Sequence, residues 1–414
     1  MLQTPAPNLK NTLTETNHLQ CKYLKIINLQ YLSIFNKLIQ QSSCSKTSSS
    51  LADLKRIQNL DPLRGFLALM VVFNHIAMLS RSADLPNLSQ FAICNRGPEA
   101  VFVFFSLSGY LIIGLLFEEK KKLGTINIKS FYIRRILRLY PVYYLVLFMG
   151  LFHYQIVLPA LNIPFKINYN TAEALLLNVG LLPNVFKALY NPGSILSILW
   201  SIGIEEQFYL AVAPILYIIP LKKHFKYLLL FSIVYFLLYH TNMFSFLRQY
   251  YLLYFYMSTG GLLAILVKLG YRVHFSSWSL RIIMYIIFIV HFFSNLFQFS
   301  TIFWQNLFQL ILFNLVIVNL ANESKFNITN PFINHLGKIS YGIYMYHMFA
   351  IHIIVFVFMK LHNEILPKWA TILTINLFSL AGTLMVSHIS YKYYELKFLR
   401  LKGIFRPKSQ YNTQ

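Results

Sequence analysis

The sequence predicts an all-α membrane protein, a polytopic bundle of about ten transmembrane helices with both termini in the cytoplasm. Two observations indicate this fold class. Of the 414 residues, 57% are hydrophobic and only 12% are charged, whereas a soluble domain carries about 25% charged residues. From residue 63 onward, apolar runs of bilayer-spanning length, about 20 residues each, also follow one another. A chain with so few charges is suited to expose most of its surface to lipid.

Ten apolar segments are predicted to cross the bilayer. They are residues 63–80, 99–117, 139–158, 199–219, 226–241, 250–267, 279–297, 302–321, 339–359 and 369–391. The stretch 172–189 is also apolar, but it contains Asn178, Gly180 and Pro183. We therefore expect a short re-entrant or interfacial element there instead of a full crossing.

The basic residues orient these spans. The formal net charge of +23 comes from 36 Lys and Arg against 13 Asp and Glu. Basic residues concentrate in the segments 118–138 and 220–226 and in the C-terminal tail, whereas 81–98 and 242–249 carry few charges. Because basic loops face the cytoplasm, this pattern predicts both termini inside. It also explains most of the positive charge without a nucleic-acid partner, and the bilayer itself is the first partner that the sequence implies.

The chain is predicted to have three parts. Residues 1–58 are polar and include a serine-rich stretch, which predicts a poorly ordered cytoplasmic extension. Residues 59–400 form the transmembrane core, and residues 401–414 form a short cytoplasmic tail. The three cysteines form no paired motif, so neither a disulfide framework nor a metal site is predicted.

Arg64 and His75 occur in the segment RGFLALMVVFNH of the first span. Eleven residues of helix rise about 16 Å, so an arginine at the cytoplasmic interface places His75 near the bilayer midplane. An ionisable group at that depth is costly and indicates a candidate functional site. The structural alternatives are an interface arginine that snorkels and a histidine that a neighbouring helix satisfies.

Two further segments combine charge with apolar surroundings. FYIRRILRLYP at 131–141 contains Arg134, Arg135 and Arg138. Arg134 and Arg138 share a helix face, and arginines presented in this way bind phosphate, although an ordinary cytoplasmic cluster is the alternative. WSIGIEEQFYL at 200–210 contains Glu205, which we expect about 8 Å in from the outer face. A carboxylate there needs a partner or a water-filled cavity.

Two last segments lie on the second and the ninth predicted spans. FFSLSGYLI at 104–112 is rich in small residues, which are typical of close helix packing. GKISYGIYMYHMF at 337–349 places His347 about 12 Å past Ile339, too deep for an interfacial aromatic belt.

Taken in order, these five segments resemble the successive signatures of membrane acyltransferase family 3, which includes bacterial saccharide O-acetylases. The resemblance covers residues 58 to about 400. It implies a multi-pass protein of the bacterial inner membrane that transfers acetyl or another short acyl group from coenzyme A to a hydroxyl of an envelope or exported saccharide. The chain looks like the stand-alone form, without the soluble esterase-like domain that some members append. It departs from the family pattern at Pro62, Phe102 and Lys397.

The resemblance also implies roles for individual residues. His75 corresponds to a histidine that is regarded as essential in the family. We expect it to act as the general base on the acceptor hydroxyl. Glu205 would bind acceptor hydroxyls or orient a partner. Acyl-CoA is implied as a co-substrate, with no permanently bound cofactor, and its phosphates would be held by Arg64, Arg134, Arg135 and Arg138. The remaining motif positions, implied to bind substrate or support the site, are Trp200, Ser201, Ser340, Tyr341 and His347.

Two other functions stay open on the sequence alone. A transporter or flippase of an envelope precursor also needs polar residues at the midplane, but it would show inverted repeats, and no internal duplication is visible. A non-catalytic membrane sensor or scaffold would tolerate apolar residues at His75 and Glu205. An acyl-histidine intermediate is an open alternative to direct transfer.

Overall fold

The structure is a computed structural model that describes residues 59–322, 328, 330–360 and 366–405. These residues belong to a single compact unit, residues 54–414, and they include helices but no β-strand. The predicted N-terminal extension, residues 1–58, lies outside the described residues, as does the end of the predicted C-terminal tail.

Twelve helices of eight or more residues occur in the described part of the chain. In order they are α1 Leu60–Ser82, α2 Gly97–Leu123, α3 Ile128–Phe152, α4 Thr171–Val179, α5 Pro183–Tyr190, α6 Trp200–Ile218, α7 His224–Tyr239, α8 Tyr254–Lys268, α9 Trp278–Phe293, α10 Ile302–Ala321, α11 Pro331–Lys360 and α12 Lys368–Ser390. Shorter helical segments include Ser194–Ser197, just before α6, and Leu396–Leu401, after α12.

Seven helices of the described chain are long and apolar enough to cross a membrane. They are α1, α2, α3 with its extension to Ala160, α6 with its preceding turn, α10, α11, and α12 with its extension to Leu401. The other three predicted spans correspond to α7, α8 and α9, which have only 16, 15 and 16 residues. A full crossing takes about 20 residues, so helix length supports seven crossings, and the count of ten and the cytoplasmic termini stay predictions.

The apolar stretch 172–189 forms two short helices, α4 and α5, neither of which has the length of a span. A capping box begins α4, because Asn170 accepts a hydrogen bond from the Glu173 backbone N–H and Glu173 accepts one in return. The chain then turns at Leu181, whose φ of 61° is left-handed. The sequence therefore predicted correctly that this stretch is not one continuous spanning helix.

Glycines allow two helix pairs to pack in backbone contact. A Cβ on Gly109 of α2 would lie 1.8 Å from the Met257 carbonyl oxygen of α8, and one on Gly260 would lie 2.0 Å from the Ser106 carbonyl oxygen. A Cβ on Gly337 of α11 would lie 2.1 Å from the Asp61 carbonyl oxygen of α1. The small residues of FFSLSGYLI thus include a true helix contact, as predicted.

Lysine and arginine side chains gather at one end of the bundle, which we call the basic end. Lys120, in the last turn of α2, donates hydrogen bonds to the carbonyls of Leu216, Tyr217 and Ile219 at the end of α6. A cation is favourable there because the last carbonyls of a helix carry partial negative charge. The basic end therefore contains the start of α1 and the ends of α2 and α6.

Candidate active site

Two histidines from opposite ends of the chain meet inside the bundle. The Nδ1 atom of His75 on α1 lies 2.9 Å from the Val71 carbonyl oxygen and 3.2 Å from Nε2 of His347 on α11. A carbonyl oxygen can only accept, so Nδ1 of His75 carries the proton in the neutral ring. The lone pair is therefore on Nε2 of His75, which is the arrangement that a general base needs.

A chain of hydroxyl groups lies beside this histidine pair. The ring of Tyr344, one turn before His347, is 5.9 Å from the His347 ring. The Tyr344 hydroxyl donates to the Ile198 carbonyl at 2.9 Å, and Ser201 Oγ donates to the Tyr344 hydroxyl at 2.6 Å. The predicted site residue Ser201 is thus joined to Tyr344, which the sequence reasoning did not assign to the site.

A cavity of about 720 Å³ extends from the basic end to Ser201 and Tyr344. Its lining carries six cationic side chains and two carboxylates, together with apolar and aromatic groups. The charged lining residues are Arg64, Arg135, Arg138, Lys268, Lys338, Lys402, Glu205 and Glu395. Ser201 and Tyr344 line the cavity, whereas His75 and His347 do not.

Glu205 lines the cavity together with the cationic residues and is hydrogen-bonded there. The Tyr209 hydroxyl donates to Glu205 Oε2 at 3.1 Å and also hydrogen-bonds Ser108. The Arg135 guanidinium stands 5.6 Å from the Tyr209 ring centroid. The predicted distance of Glu205 from the outer face stays a prediction, whereas its contact with Tyr209, near Arg135, is a feature of the structure.

Trp200, the first residue of α6, packs against α2. The Trp200 ring packs edge-on against Phe105 of α2, with 5.9 Å between the ring centroids. Phe105 lies eight residues, or about 12 Å, into α2 from Gly97. The first turn of α6 therefore packs more than two turns into α2 and not beside its first residue.

The arginine cluster of α3 divides between two roles. Arg135 and Arg138 line the cavity. Arg134 is buried and donates to the Phe405 carbonyl at 2.8 Å, with its guanidinium 3.6 Å from the Glu119 carboxylate. The prediction that Arg134 and Arg138 face the same site is not confirmed, because the buried carboxylate of Glu119 holds Arg134 away from the cavity lining.

Three other predicted residues, Arg64, Ser340 and Tyr341, lie along the same cavity. Arg64 lines it and forms an ion pair with Asp61 at 2.9 Å. Ser340 also lines it and donates to the Gly337 carbonyl. Tyr341 lines it and donates to the Leu139 carbonyl at 2.7 Å, which ties α11 to α3.

Trp200 does not line this cavity. It packs against Tyr251 and under the ammonium group of Lys187, which is 4.7 Å from its ring centroid. Lys187 and Tyr209 are site neighbours that sequence reasoning missed. In the sequence, each appears only as a polar group within an apolar stretch. Many aromatic-belt and interface residues share this pattern, so it does not identify a site.

The amino-acid sequence matches a known family model. A family model described as "Acyltransferase domain" matches residues 57–389. "Putative O-acetyltransferase SACOL0978" of Staphylococcus aureus (strain COL) is 30% identical over 181 residues, which is 42% of this chain and 27% of that protein. "Peptidoglycan O-acetyltransferase OatA" of Listeria monocytogenes serovar 1/2a is 31% identical over 163 residues, 38% of this chain and 23% of that protein. No solved structure matches the chain.

The matched region of these curated relatives is about a quarter of their own length, so their whole activities are not transferred with it. The family model, in contrast, covers most of this chain and includes every motif that lines the cavity up to α12. The long apolar helices agree with a membrane location. The chain therefore belongs to the acyltransferase family that this model describes, as an integral multi-pass membrane protein.

Proposed function

We propose that the chain is an acyl-CoA-dependent O-acyltransferase of the bacterial inner membrane, which moves an acetyl group to a hydroxyl of a cell-envelope or exported saccharide. One observation carries the proposal: a cationic cavity extends from the basic end to the hydroxyl pair beside a histidine with a free basic nitrogen. The O-acetyltransferase names of the relatives support acetyl as the acyl group, and the peptidoglycan relative supports a glycan acceptor.

The donor would enter from the basic end. Coenzyme A carries several phosphate charges, and Arg64, Arg135 and Arg138 all line the cavity there. Guanidinium groups bind phosphate oxygens with paired, charge-assisted hydrogen bonds. The cavity volume of about 720 Å³ also lies within the range of small-molecule sites. The phosphates would stay at the basic end while the pantetheine arm carries the thioester toward Tyr344.

His75 would then catalyse a direct transfer. Its Nε2 takes the proton of the acceptor hydroxyl as the acceptor oxygen bonds to the thioester carbon, and the carbonyl electron pair moves onto the carbonyl oxygen. When this intermediate collapses, the carbon–sulfur bond breaks and the thiolate of coenzyme A takes the proton. His347 faces the Nδ1–H of His75 and would hold the ring in the productive tautomer.

The hydroxyl pair would act as a gate in this scheme. The hydrogen-bonded Ser201 and Tyr344 line the cavity and would close it before the histidines, which do not line it. For the thioester to reach His75, the Tyr344 ring must turn away and release Ser201. The separated hydroxyls would then be available to the carbonyl oxygen of the thioester as it becomes negative.

The test is acetyl transfer by the purified protein in lipid nanodiscs. Free coenzyme A thiol would be measured with a thiol reagent, and the acetylated saccharide by mass spectrometry. His75→Ala should lower both by about 10² to 10⁴. The matched control is His335→Ala, a histidine of the same α11 helix that pairs with His388 outside the cavity, and it should keep the wild-type rate.

Two results would contradict the proposal. If His75→Ala formed both products at the wild-type rate, His75 would not be the general base. A wild-type protein that releases no coenzyme A thiol with any acceptor, but moves a lipid-linked saccharide across proteoliposomes, would favour the transporter instead.

A further inference from the structure

Lys187 on α5 places a positive charge next to the site, and no acidic side chain of the described residues pairs with it. Its Nζ lies 4.7 Å from the ring centroid of Trp200 and 4.5 Å from that of Tyr251. Within the described chain, no carboxylate lies within salt-bridge distance of this ammonium, and no group accepts a hydrogen bond from it. An ammonium has three N–H donors, so all three are available to a ligand.

Hydrogen bonds fix the helix that carries Lys187 against its neighbours. Asn184 of α5 donates to the Tyr250 carbonyl at 2.8 Å. Gln207 of α6 donates to Asn184 Oδ1 at 2.8 Å and accepts from the Tyr254 hydroxyl at 2.7 Å. These bonds hold α5 against α6 and against the segment that carries Tyr251. The lysine position is therefore fixed by a buried polar network.

The backbone around Lys187 adopts an unusual conformation. Tyr251, which supplies one of the two rings, has a left-handed φ of 57°, and Leu181 and Asn191 on either side of α5 have φ values of 61° and 43°. Such conformations are unfavourable for residues other than glycine and concentrate at binding sites. The strain at Tyr251 positions its ring beside the ammonium.

Lys187 lies outside the lining of the cavity that would hold the donor. Lys187, Trp200 and Tyr251 are not among the residues that line the cavity from the basic end. Lys187 contacts Trp200, whose chain neighbour Ser201 hydrogen-bonds the Tyr344 hydroxyl beside the histidine pair. The ammonium thus lies close to the hydroxyl pair but outside the lining of the donor cavity, so the acceptor is the substrate that remains for it.

We infer that Lys187 binds a carboxylate of the saccharide acceptor, so that this enzyme prefers an acidic sugar to a neutral one. This inference rests on the proposed function. A half-buried cation costs free energy unless an anion pairs with it, and a carboxylate of the acceptor would supply that anion with charge-assisted hydrogen bonds. The rings of Trp200 and Tyr251 hold the ammonium through cation–π contacts, which leave its charge unneutralised.

The test compares two ligands that differ only in charge: the methyl glycoside of a glucuronyl–N-acetylglucosamine disaccharide and its uronamide, which keeps every hydroxyl. Binding would be measured by calorimetry and by thermal stabilisation of the full-length protein in nanodiscs, without acyl-CoA. The wild type should bind the acid about tenfold more tightly, which corresponds to about 1.4 kcal/mol. Lys187→Met should bind both forms with affinities within about twofold of each other. Lys187→Arg should keep part of the preference, and Lys166→Met, an exposed loop lysine, should keep all of it.

Equal responses of the wild type to the acid and the amide, including no response to either, would overturn the inference. So would a Lys187→Met variant that binds both ligands like the wild type but loses acetyl transfer equally with both, because Lys187 would then stabilise the thioester oxyanion. Binding separates this inference from the proposed function: His75→Ala should keep the preference for the acid while losing transfer. The protein could also prefer the acid through Lys187 but transfer no acetyl group. That result would support the carboxylate site and contradict the proposed acetyl transfer.

Discussion

At the scale of the residue, the neighbours of His75 decide what its ring can do. The Val71 carbonyl occupies one side of Nδ1, and His347 Nε2 lies next to the same atom. These contacts satisfy a polar ring that has been removed from water. They also hold the ring in one orientation, so Nε2 is presented consistently to whatever occupies the site.

His347→Ala should therefore reduce turnover without weakening donor binding. The variant keeps His75 and its bond to Val71 but loses the second contact of the ring. We expect kcat to fall by about 100-fold with the KM for acetyl-CoA unchanged, as measured by coenzyme A release. A rise in KM with normal kcat would instead place His347 in donor binding.

Arg138 and Arg134 should behave differently although they lie four residues apart. Arg138 lines the cavity and is exposed, so Arg138→Ala should raise the KM for acetyl-CoA about tenfold, the effect of losing one charge-assisted hydrogen bond. Arg134→Ala breaks a buried ion pair with Glu119 and should destabilise the protein by about 3–5 kcal/mol. The measurements are donor kinetics and thermal unfolding. A raised KM from Arg134→Ala, with loss of stability only from Arg138→Ala, would mean that Arg134 binds the donor.

The preference for an acidic acceptor should depend on pH through Lys187. Burial lowers the pKa of Lys187 from 10.5 to about 8. The ammonium is therefore charged below that pH and loses its proton as the pH rises through it, whereas the sugar carboxylate stays ionised throughout. The ratio of amide to acid dissociation constants should be largest near pH 6.5 and fall toward one above pH 9. A ratio that is constant over this range would mean that another group binds the carboxylate.

At the scale of the element, glycine decides how closely the helices approach. The α2 and α8 backbones meet at Gly109 and Gly260, where a side chain has no room. This contact holds the α2 segment that carries Ser108 and Phe105 against the bundle. In lipid, such close packing replaces the hydrophobic driving force between helices.

Gly109→Ala should consequently destabilise the protein by about 1–3 kcal/mol, because the new Cβ would lie 1.8 Å from the Met257 carbonyl oxygen. Gly382→Ala on α12 is the matched control, since its Cβ would meet Ala350 Cβ at an ordinary 3.5 Å. That variant should be neutral or more stable, because alanine favours a helix. Thermal unfolding in detergent compares the two, and equal effects would mean that the α2–α8 contact is not tight.

The α11 helix carries the proposed gate as well as His347. Tyr344→Ala removes the ring of the proposed gate, which lines the cavity, so water should reach the thioester and release coenzyme A without an acceptor several times faster than in the wild type. Tyr344→Phe keeps the ring and should stay close to the wild-type rate. A slower acceptor-free release from Tyr344→Ala would show that Tyr344 holds the donor instead of closing its path.

At the scale of the whole molecule, the predicted topology requires α7 to cross the bilayer. Helix α7 has 16 residues, between a basic turn at Lys222 and a turn at Asn242. Single cysteines at these two exposed positions, in a chain without its native cysteines, can be labelled with a membrane-impermeant reagent. We expect Asn242→Cys to react in intact cells and Lys222→Cys only after permeabilisation. Labelling of both from one side would mean that α7 does not cross.

The long spans and the motifs were predictable from the sequence because hydropathy and the spacing of residues along one helix are local properties. All seven helices of spanning length fall on predicted spans. His75, Arg138 and Ser340 could be assigned from single segments in the same way. The neighbours of Glu205 could not, because the Tyr209 hydroxyl that donates to Glu205 is also hydrogen-bonded to Ser108 of another helix.

By itself, the sequence determined that this is a helical multi-pass membrane protein of the acyltransferase family, since apolar length, basic loops and ordered motifs are written along the chain. Only the tertiary structure decided which polar groups meet. The two imidazoles are 272 positions apart, Arg134 pairs with Glu119 and not with the cavity, and Lys187 lies between rings from two other segments. These contacts follow from helix packing, in which close backbone approach and buried charge are satisfied together, and no local pattern encodes that outcome.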